Sequence, residues 1–132
     1  MPGPEPGVAF AVSGRIAIAA SAVGAGAVIL GAFGAHALRA TLDGAALQLW
    51  HTAVEYQFWH ALALLGVSLA PASRGRTASA AAFGAGIVLF CGSLYALALG
   101  APRAAGLVTP FGGLCLIAGW IALGAAFWRT AR

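Results

Sequence analysis

The chain has 132 residues, of which 61% are hydrophobic and 8% are charged, with seven arginines and no lysine. This balance excludes an ordinary soluble domain, because apolar stretches of roughly 20 residues recur with few charges, which is the length that crosses a hydrocarbon core of about 30 Å. The net charge of +4 does not indicate nucleic-acid binding, since the arginines stand singly at the ends of apolar runs. The composition predicts one domain, all of it in the membrane.

The first membrane helix is predicted over residues 9–35, after a proline- and glycine-rich stretch, residues 1–8, that we expect to be a disordered tail. Small residues of this helix fall four apart and share one face, which lets a neighbouring helix approach closely in lipid. General enrichment in alanine and glycine is the alternative explanation of this pattern. The predicted helix-packing residues are Ala20, Gly24, Ala27, Gly31 and Ala35.

Three further crossings are predicted, each bounded by a turn signal: residues 53–70, 77–99 and 109–129. Residues 36–52 mix polar and apolar positions, which favours a short helix lying in the membrane interface with Trp50 at headgroup depth. Thr109 followed by Pro110 predicts an N-cap and the first residue of the last helix. The predicted fold is an all-α integral membrane four-helix bundle over residues 9–132.

The arginines predict the orientation of this bundle, because cytoplasmic loops retain an excess of positive charge. With four crossings, one side of the membrane carries Arg15, Arg74, Arg76, Arg129 and Arg132, and the other side carries Arg39 and Arg103. Both termini are therefore predicted to face the cytoplasm.

Polar residues from all four helices meet on the other side, in the outer leaflet, around the stretch from Trp50 to His60. Such groups are costly in a bilayer unless they are paired or face a protein interior. We therefore predict a polar cluster there that either binds a ligand or holds the helices together, and the residues alone do not decide which. Its members are His36, His51, Glu55, Tyr56, Gln57, His60, Ser93, Tyr95 and Thr109.

Helical geometry places Tyr56, Gln57 and His60 on one face of the second helix, and His51 and Glu55 on another. The buried His60 is expected to be neutral with Tyr56 as its partner. Glu55 is expected to pair with His51 or with an arginine of the connecting segments, Arg39 or Arg103.

No metal site or cofactor is predicted, because the three histidines lack the compact spacing of zinc ligands. No nucleophile with its base, phosphate loop or dinucleotide motif is present, so an enzyme is not expected.

Several blocks of the chain resemble a known family. The blocks are Gly31–His36, Trp50–His60, Gly92–Leu99, Thr109–Gly113 and Ala118–Trp120. Their order and spacing are similar to those of the YgdD-like proteins (domain of unknown function 423), small inner-membrane proteins with a mitochondrial transmembrane branch. The resemblance implies a four-helix protein of the bacterial inner membrane without an agreed activity.

Three functions are compatible with these observations. The first is an accessory or assembly subunit that packs against a larger membrane complex, or against further copies of itself. The alternative is a binding or transport module for a small amphiphile, such as a lipid or quinone, that enters from the outer leaflet beside Tyr56, Trp59 and His60. The third is a proton- or ion-coupled carrier using Glu55 and His60, which the apolar inner half of the bundle disfavours. The lipid bilayer is the expected surrounding in each case, and no nucleic-acid partner is expected.

Overall fold

The computed structural model describes residues 11–132, and all regular secondary structure in that part of the chain is helical. The predicted tail, residues 1–8, lies outside the described residues. Four long helices are present: α1 Gly14–His36, α2 Gly44–Leu69, α3 Arg74–Ala98 and α4 Thr109–Trp128. Two short 3₁₀ turns, Leu38–Ala40 and Arg103–Leu107, precede α2 and α4.

Within residues 11–132, three helical stretches are long and apolar enough to cross a membrane: Gly14–Ala40, Arg74–Ala98 and Arg103–Trp128. Helix α2 has 26 residues and is therefore about 39 Å long, but it is not among them. The reason lies in its sequence, since the acid, the imidazoles and the amide of the Trp50–His60 stretch lower its hydropathy. The protein is thus an all-helical, multi-pass membrane protein.

The start of α2 differs from the sequence prediction. No separate helix precedes it in the part of the chain that the structure describes, apart from the single 3₁₀ turn Leu38–Ala40. Asp43 caps α2 with its carboxylate, which accepts a hydrogen bond of 2.8 Å from the amide of Ala46. Because this cap forms, the helix begins at Gly44. This start is more than two turns before Ala53, where the sequence predicted the second crossing to begin.

The end of α2 and the start of α3 are joined by a short turn with its own cap. The Ser73 hydroxyl accepts a hydrogen bond from the amide of Arg76 at 3.1 Å. The Arg76 guanidinium donates to the carbonyls of Ala70 and Ala11, at 3.1 and 2.9 Å, and so ties this turn to the segment before α1. At the far end of α3, Gly100 adopts a φ of +93°, which favours glycine and ends the helix.

The four helices run antiparallel to their neighbours in chain order. Helix α1 contacts α2 at both ends: the amide of Ser13 donates to the carbonyl of Ser68 at 2.9 Å, and the Trp50 indole donates to the carbonyl of Leu30. Helices α3 and α4 pair in the same way. Consequently one end of the bundle, which we call the His36 end, holds the end of α1, the start of α2, the end of α3 and the start of α4. The opposite end is called the Ser73 end.

Helix α3 widens in its middle into a π-helical segment, Ile87–Cys91, before it continues as an α-helix. Gly112 of α4 packs directly against the backbone of Phe90 in this segment, so that a Cβ at this position would overlap backbone atoms. The buried residues of α4 follow one another at alternating intervals of four and three residues, which is the spacing found where two helices pack closely. Its members are Gly112, Leu116, Gly119, Leu123 and Ala126.

We expect Gly112→Ala to destabilise the protein by about 1–3 kcal/mol, because the backbone of Phe90 cannot move aside as a flexible side chain could. Gly124→Ala on the same helix is the matched control. A Cβ there meets nothing within 4 Å, and the loss of glycine favours the helix. Thermal unfolding of both variants in detergent measures the difference. Equal midpoints for the two variants would contradict the close approach of α4 to the π-helical segment.

Candidate functional site

Gln57 joins three helices at the centre of the predicted polar cluster. Its side chain is 8% exposed. The amide nitrogen donates to the carbonyl of Val23 on α1 at 3.0 Å, and the amide oxygen accepts from the Tyr95 hydroxyl on α3 at 2.8 Å. Gly26 makes room for this amide, since a Cβ at that position would lie 3.2 Å from its nitrogen. One side chain of α2 therefore fixes both neighbouring helices.

His60 is held in one neutral tautomer by its two partners. Its Nδ1 lies 2.7 Å from the carbonyl oxygen of Tyr56, which can only accept a hydrogen bond. Its Nε2 lies 3.3 Å from the indole nitrogen of Trp120 on α4, which can only donate. The proton is therefore on Nδ1, and Nε2 is an acceptor. The predicted partner Tyr56 contributes its backbone carbonyl, while its ring stacks on the imidazole at a centroid distance of 5.9 Å.

Ser93 and Thr109 connect α3 to α4 at the His36 end, with 2.6 Å between their hydroxyl oxygens. The predicted N-cap role of Thr109 is wrong, because Thr109 is already inside the helix and its hydroxyl faces Ser93 instead. Deeper in the same interface, the buried Ser79 hydroxyl donates to the carbonyl of Gly119 at 2.9 Å. These bonds cross between helices where lipid offers no alternative partner.

The other predicted members of the cluster lie on the surface of the bundle. His36 and His51 are exposed near the His36 end. Glu55 is exposed as well, and it makes no hydrogen bond or ion pair within residues 11–132, so the expected pairing with His51, Arg39 or Arg103 is wrong for the described structure. The polar side chains of α2 that have partners are Trp50, Thr52, Gln57, His60 and Ser68. In the described residues no group of three histidines, cysteines or acids could hold a metal ion.

Several of the small residues of α1 lie against α2. Ala20 and Ala27 are buried, and a Cβ on Gly24 would lie 3.6 Å from the Cβ of Ala61. A Cβ on Gly31 would lie 3.3 Å from Val54. Ala35, the last residue of this set, is exposed and lies at the edge of the contact.

Two grooves lie on either side of the Trp59 side chain of α2, which lines both. The first, the Glu55 groove, has a volume of about 580 Å³ between α1 and α2. Its lining is Ala27, Val28, Gly31, Ala32, Ala35, Val54, Glu55, Phe58 and Trp59. The second, the aromatic groove, has about 350 Å³ between α2, α3 and α4. Its lining is Tyr56, Trp59, His60, Phe90, Gly113, Leu116, Ile117 and Trp120.

Sequence reasoning missed several residues of these contacts. Trp120 and Ser79 were not assigned to the cluster, because their partners lie 60 and 40 residues away and no periodicity connects them. Trp50 was assigned to the headgroup region, but its ring is buried and packs on Tyr95 with centroids 4.7 Å apart. Gly34 makes room for the indole, because a Cβ there would lie 2.6 Å from it.

The chain is similar to several small bacterial membrane proteins. Residues 30–113 match the family described as Protein of unknown function (DUF423). The UPF0382 membrane protein YwdK of Bacillus subtilis is 43% identical over 72% of this chain and 80% of its own length. The UPF0382 inner membrane protein YgdD of Escherichia coli K12 is 44% identical over 70% of this chain and 73% of its own length. No solved structure matches.

Tyr95→Phe should lower the free energy of unfolding by about 0.6–1.7 kcal/mol, because it removes a hydrogen bond between membrane helices and leaves the buried amide oxygen of Gln57 without a donor. Tyr56→Phe is the matched control, because the Tyr56 hydroxyl has no hydrogen-bond partner in the described residues. Chemical unfolding in detergent compares the two variants. An equal loss for both would mean that Gln57 does not depend on the Tyr95 hydroxyl.

Proposed function

Because this chain belongs to the DUF423 family of multi-pass inner-membrane proteins, whose function is unknown, we propose its role from its own surface: it is a non-enzymatic accessory subunit of a larger membrane complex. In this proposal α2 is a fourth crossing, since it runs beside α1 along its whole length. Both termini face the cytoplasm, with the five arginines of the Ser73 end, and the His36 end faces outward. A transmembrane helix of the partner docks in the Glu55 groove.

The unpaired carboxylate of Glu55 is the observation that carries the proposal. Glu55 follows Val54, which packs on Gly31, and Gly31 lies five residues or about 7.5 Å before the end of α1. Since α1 is about 34 Å long and a hydrocarbon core is about 30 Å thick, this depth lies inside the apolar layer. Acidic residues at such positions generally pair with another group or face a protein interior. The described part of this chain supplies neither for Glu55.

The shape of the groove fits a helix. Its floor is made of Ala27, Gly31 and Ala32, and small residues permit the close approach on which association in lipid depends. Phe58 and Trp59 form its other wall, 40% and 52% exposed, and supply broad apolar surfaces for packing. The complementary helix would carry a cationic or hydrogen-bond-donating side chain opposite Glu55.

A second copy of this chain is a poorer occupant than a different protein. A two-fold symmetric contact places the same patch on both subunits. The lining of the Glu55 groove contains one acid and no basic residue, so a dimer through this face would bring two carboxylates together without a cation. The charge of the groove therefore favours a helix of a different protein over a second copy of this chain.

Site-specific photo-crosslinking tests this proposal in membranes of the bacterium that encodes the chain. A photoreactive benzoylphenylalanine at Ala32, in the floor of the groove, should give one discrete protein adduct. Glu55→Gln, which keeps the size of the side chain but removes its charge, should reduce the yield at least about fivefold, since cross-helix polar contacts in lipid contribute about 1–2 kcal/mol. Peptide mapping should place the crosslink in a transmembrane helix with a basic or donor residue.

The same photoreactive residue at Ile121 is the positional control, because this side chain is 68% exposed on α4 and lies outside the groove. The proposal fails if the Ala32 position yields lipid adducts only. It also fails if the protein adduct forms equally well with Glu55→Gln, as expected for a carboxylate that only reaches towards the headgroup water.

The aromatic groove supports a second candidate function, the binding of a small amphiphile such as a lipid or quinone. Trp59 and Trp120 are each about half exposed, at 52% and 51%, so the groove opens sideways to lipid. The neighbouring π-helical segment of α3 supports this candidate as well, since such segments are frequent at functional sites. Against a proton carrier, His60 has both ring nitrogens bonded and lies across α2 from Glu55.

Decylubiquinone, a quinone with a short apolar tail, tests this second candidate. Gly113→Val should weaken its binding about tenfold, because the added side chain fills the groove without a clash: a Cβ at Gly113 would lie 3.8 Å from the ring of Phe90. Gly124→Val, outside the groove on the same helix, is the control. Native mass spectrometry of the purified protein measures the occupancy. No saturable adduct, or equal adducts for both variants, would reject the candidate.

A further inference from the structure

A third groove lies at the Ser73 end, between the start of α3 and the end of α4. It has a volume of about 350 Å³. Its floor consists of small residues of both helices, and Gly75 sets the closest approach, since a Cβ there would lie 3.1 Å from the Cβ of Ala126 and 3.3 Å from the carbonyl of Ala122. Arg74 and Arg129 stand on opposite sides of this floor, one from each helix. The groove therefore combines an apolar base with two cationic walls.

The two guanidinium groups have no protein partner in residues 11–132. Two other arginines at this end are engaged: Arg76 donates to two carbonyl oxygens, and Arg132 lies over the Trp128 ring at 5.5 Å. The described acids, Asp43 and Glu55, both belong to the half of the bundle near the His36 end. Arg74 and Arg129 thus line the same groove from two helices without a counter-ion from the described chain.

We propose that this groove binds the phosphodiester headgroup of an anionic phospholipid between Arg74 and Arg129, with the first part of an acyl chain on the alanine floor. Guanidinium groups match phosphate oxygens with two parallel hydrogen bonds. A net negative lipid is favoured over a zwitterionic one, because the ammonium or choline of the latter would face two arginines. Basic pockets between membrane helices on the cytoplasmic side are suited to such lipids.

The apolar floor distinguishes a lipid from a free anion. Ala78 of α3 and Ala125 of α4 are exposed and line the groove towards the membrane, where they offer an acyl chain a surface continuous with the bilayer. Inorganic phosphate would gain only the two charges, which salt screens at the surface. The bound lipid would hold the start of α3 against the end of α4, next to the point where Gly75 sets the closest approach of the two helices.

Native mass spectrometry of the purified protein in neutral detergent tests the inference with phosphatidylglycerol and phosphatidylcholine of the same acyl chains. The unchanged protein should retain phosphatidylglycerol preferentially. The double variant Arg74→Gln/Arg129→Gln should weaken its binding roughly thirtyfold, as expected for the loss of two arginines near an anionic headgroup. The matched control is Arg39→Gln/Arg103→Gln, which removes the same charge from the His36 end and should leave the adduct unchanged.

A second variant separates the groove from a general effect of charge. Ala125→Leu keeps both arginines but fills the floor, and it should also lower phosphatidylglycerol occupancy about tenfold. The inference is overturned if both arginine variants lose the adduct equally, if phosphatidylcholine binds as well as phosphatidylglycerol, or if Ala125→Leu retains full occupancy. Displacement of the lipid by millimolar inorganic phosphate would likewise overturn it, because the site would then be one for an anion alone.

Discussion

The hydrogen bonds of Gln57 are the constraint on which the arrangement of the helices depends. In lipid no hydrophobic effect drives helices together, so polar contacts and close packing must hold them. The amide of Gln57 reaches Val23 on one side and Tyr95 on the other. His60, three residues later on the same face, reaches Trp120 of α4. Helix α2 therefore contacts each of the other three helices through two neighbouring side chains, which explains why the least apolar helix is the central one.

Because the buried polar groups already have hydrogen-bond partners, a binding site is to be sought at the surface of the bundle. Within residues 11–132 no buried side-chain polar atom lacks a hydrogen-bond partner. Both ring nitrogens of His60 are hydrogen-bonded, and the Gln57 amide uses one donor and one acceptor to join two helices, so both side chains are committed to the fold in this arrangement. In the described residues the Tyr56 hydroxyl, in the aromatic groove, and the exposed side chains of Glu55, Arg74 and Arg129 make no hydrogen bond. This distribution separates the groups that hold the fold from those available to a partner.

Much of this fold can be predicted from the sequence, because apolar length and turn residues define membrane helices almost independently of tertiary contacts. Helical periodicity alone predicts that Gln57 and His60 share one face of α2 and that Glu55 lies on another. The exposure of Glu55 does not follow from periodicity, because it depends on how the neighbouring helices pack. The start of α2 could not be predicted in this way, since a cap at Asp43 outweighs the mixed polarity of the residues after it. The pairing of His60 with Trp120 depends on the crossing of two helices distant in sequence, which no local pattern records.

The two ends of the bundle present opposite chemistry on similar scaffolds. Near the His36 end, small residues of α1 leave a groove with a single carboxylate; at the Ser73 end, small residues of α3 and α4 leave a groove with two guanidinium groups. Where two helices meet through glycine or alanine, their backbones approach closely. Because these side chains are small, a groove remains beside the contact, and lipid or another helix must fill it. Because a charged side chain at the edge of a groove favours ligands of opposite charge, we infer that the packing that stabilises this bundle also lets its two grooves select different partners.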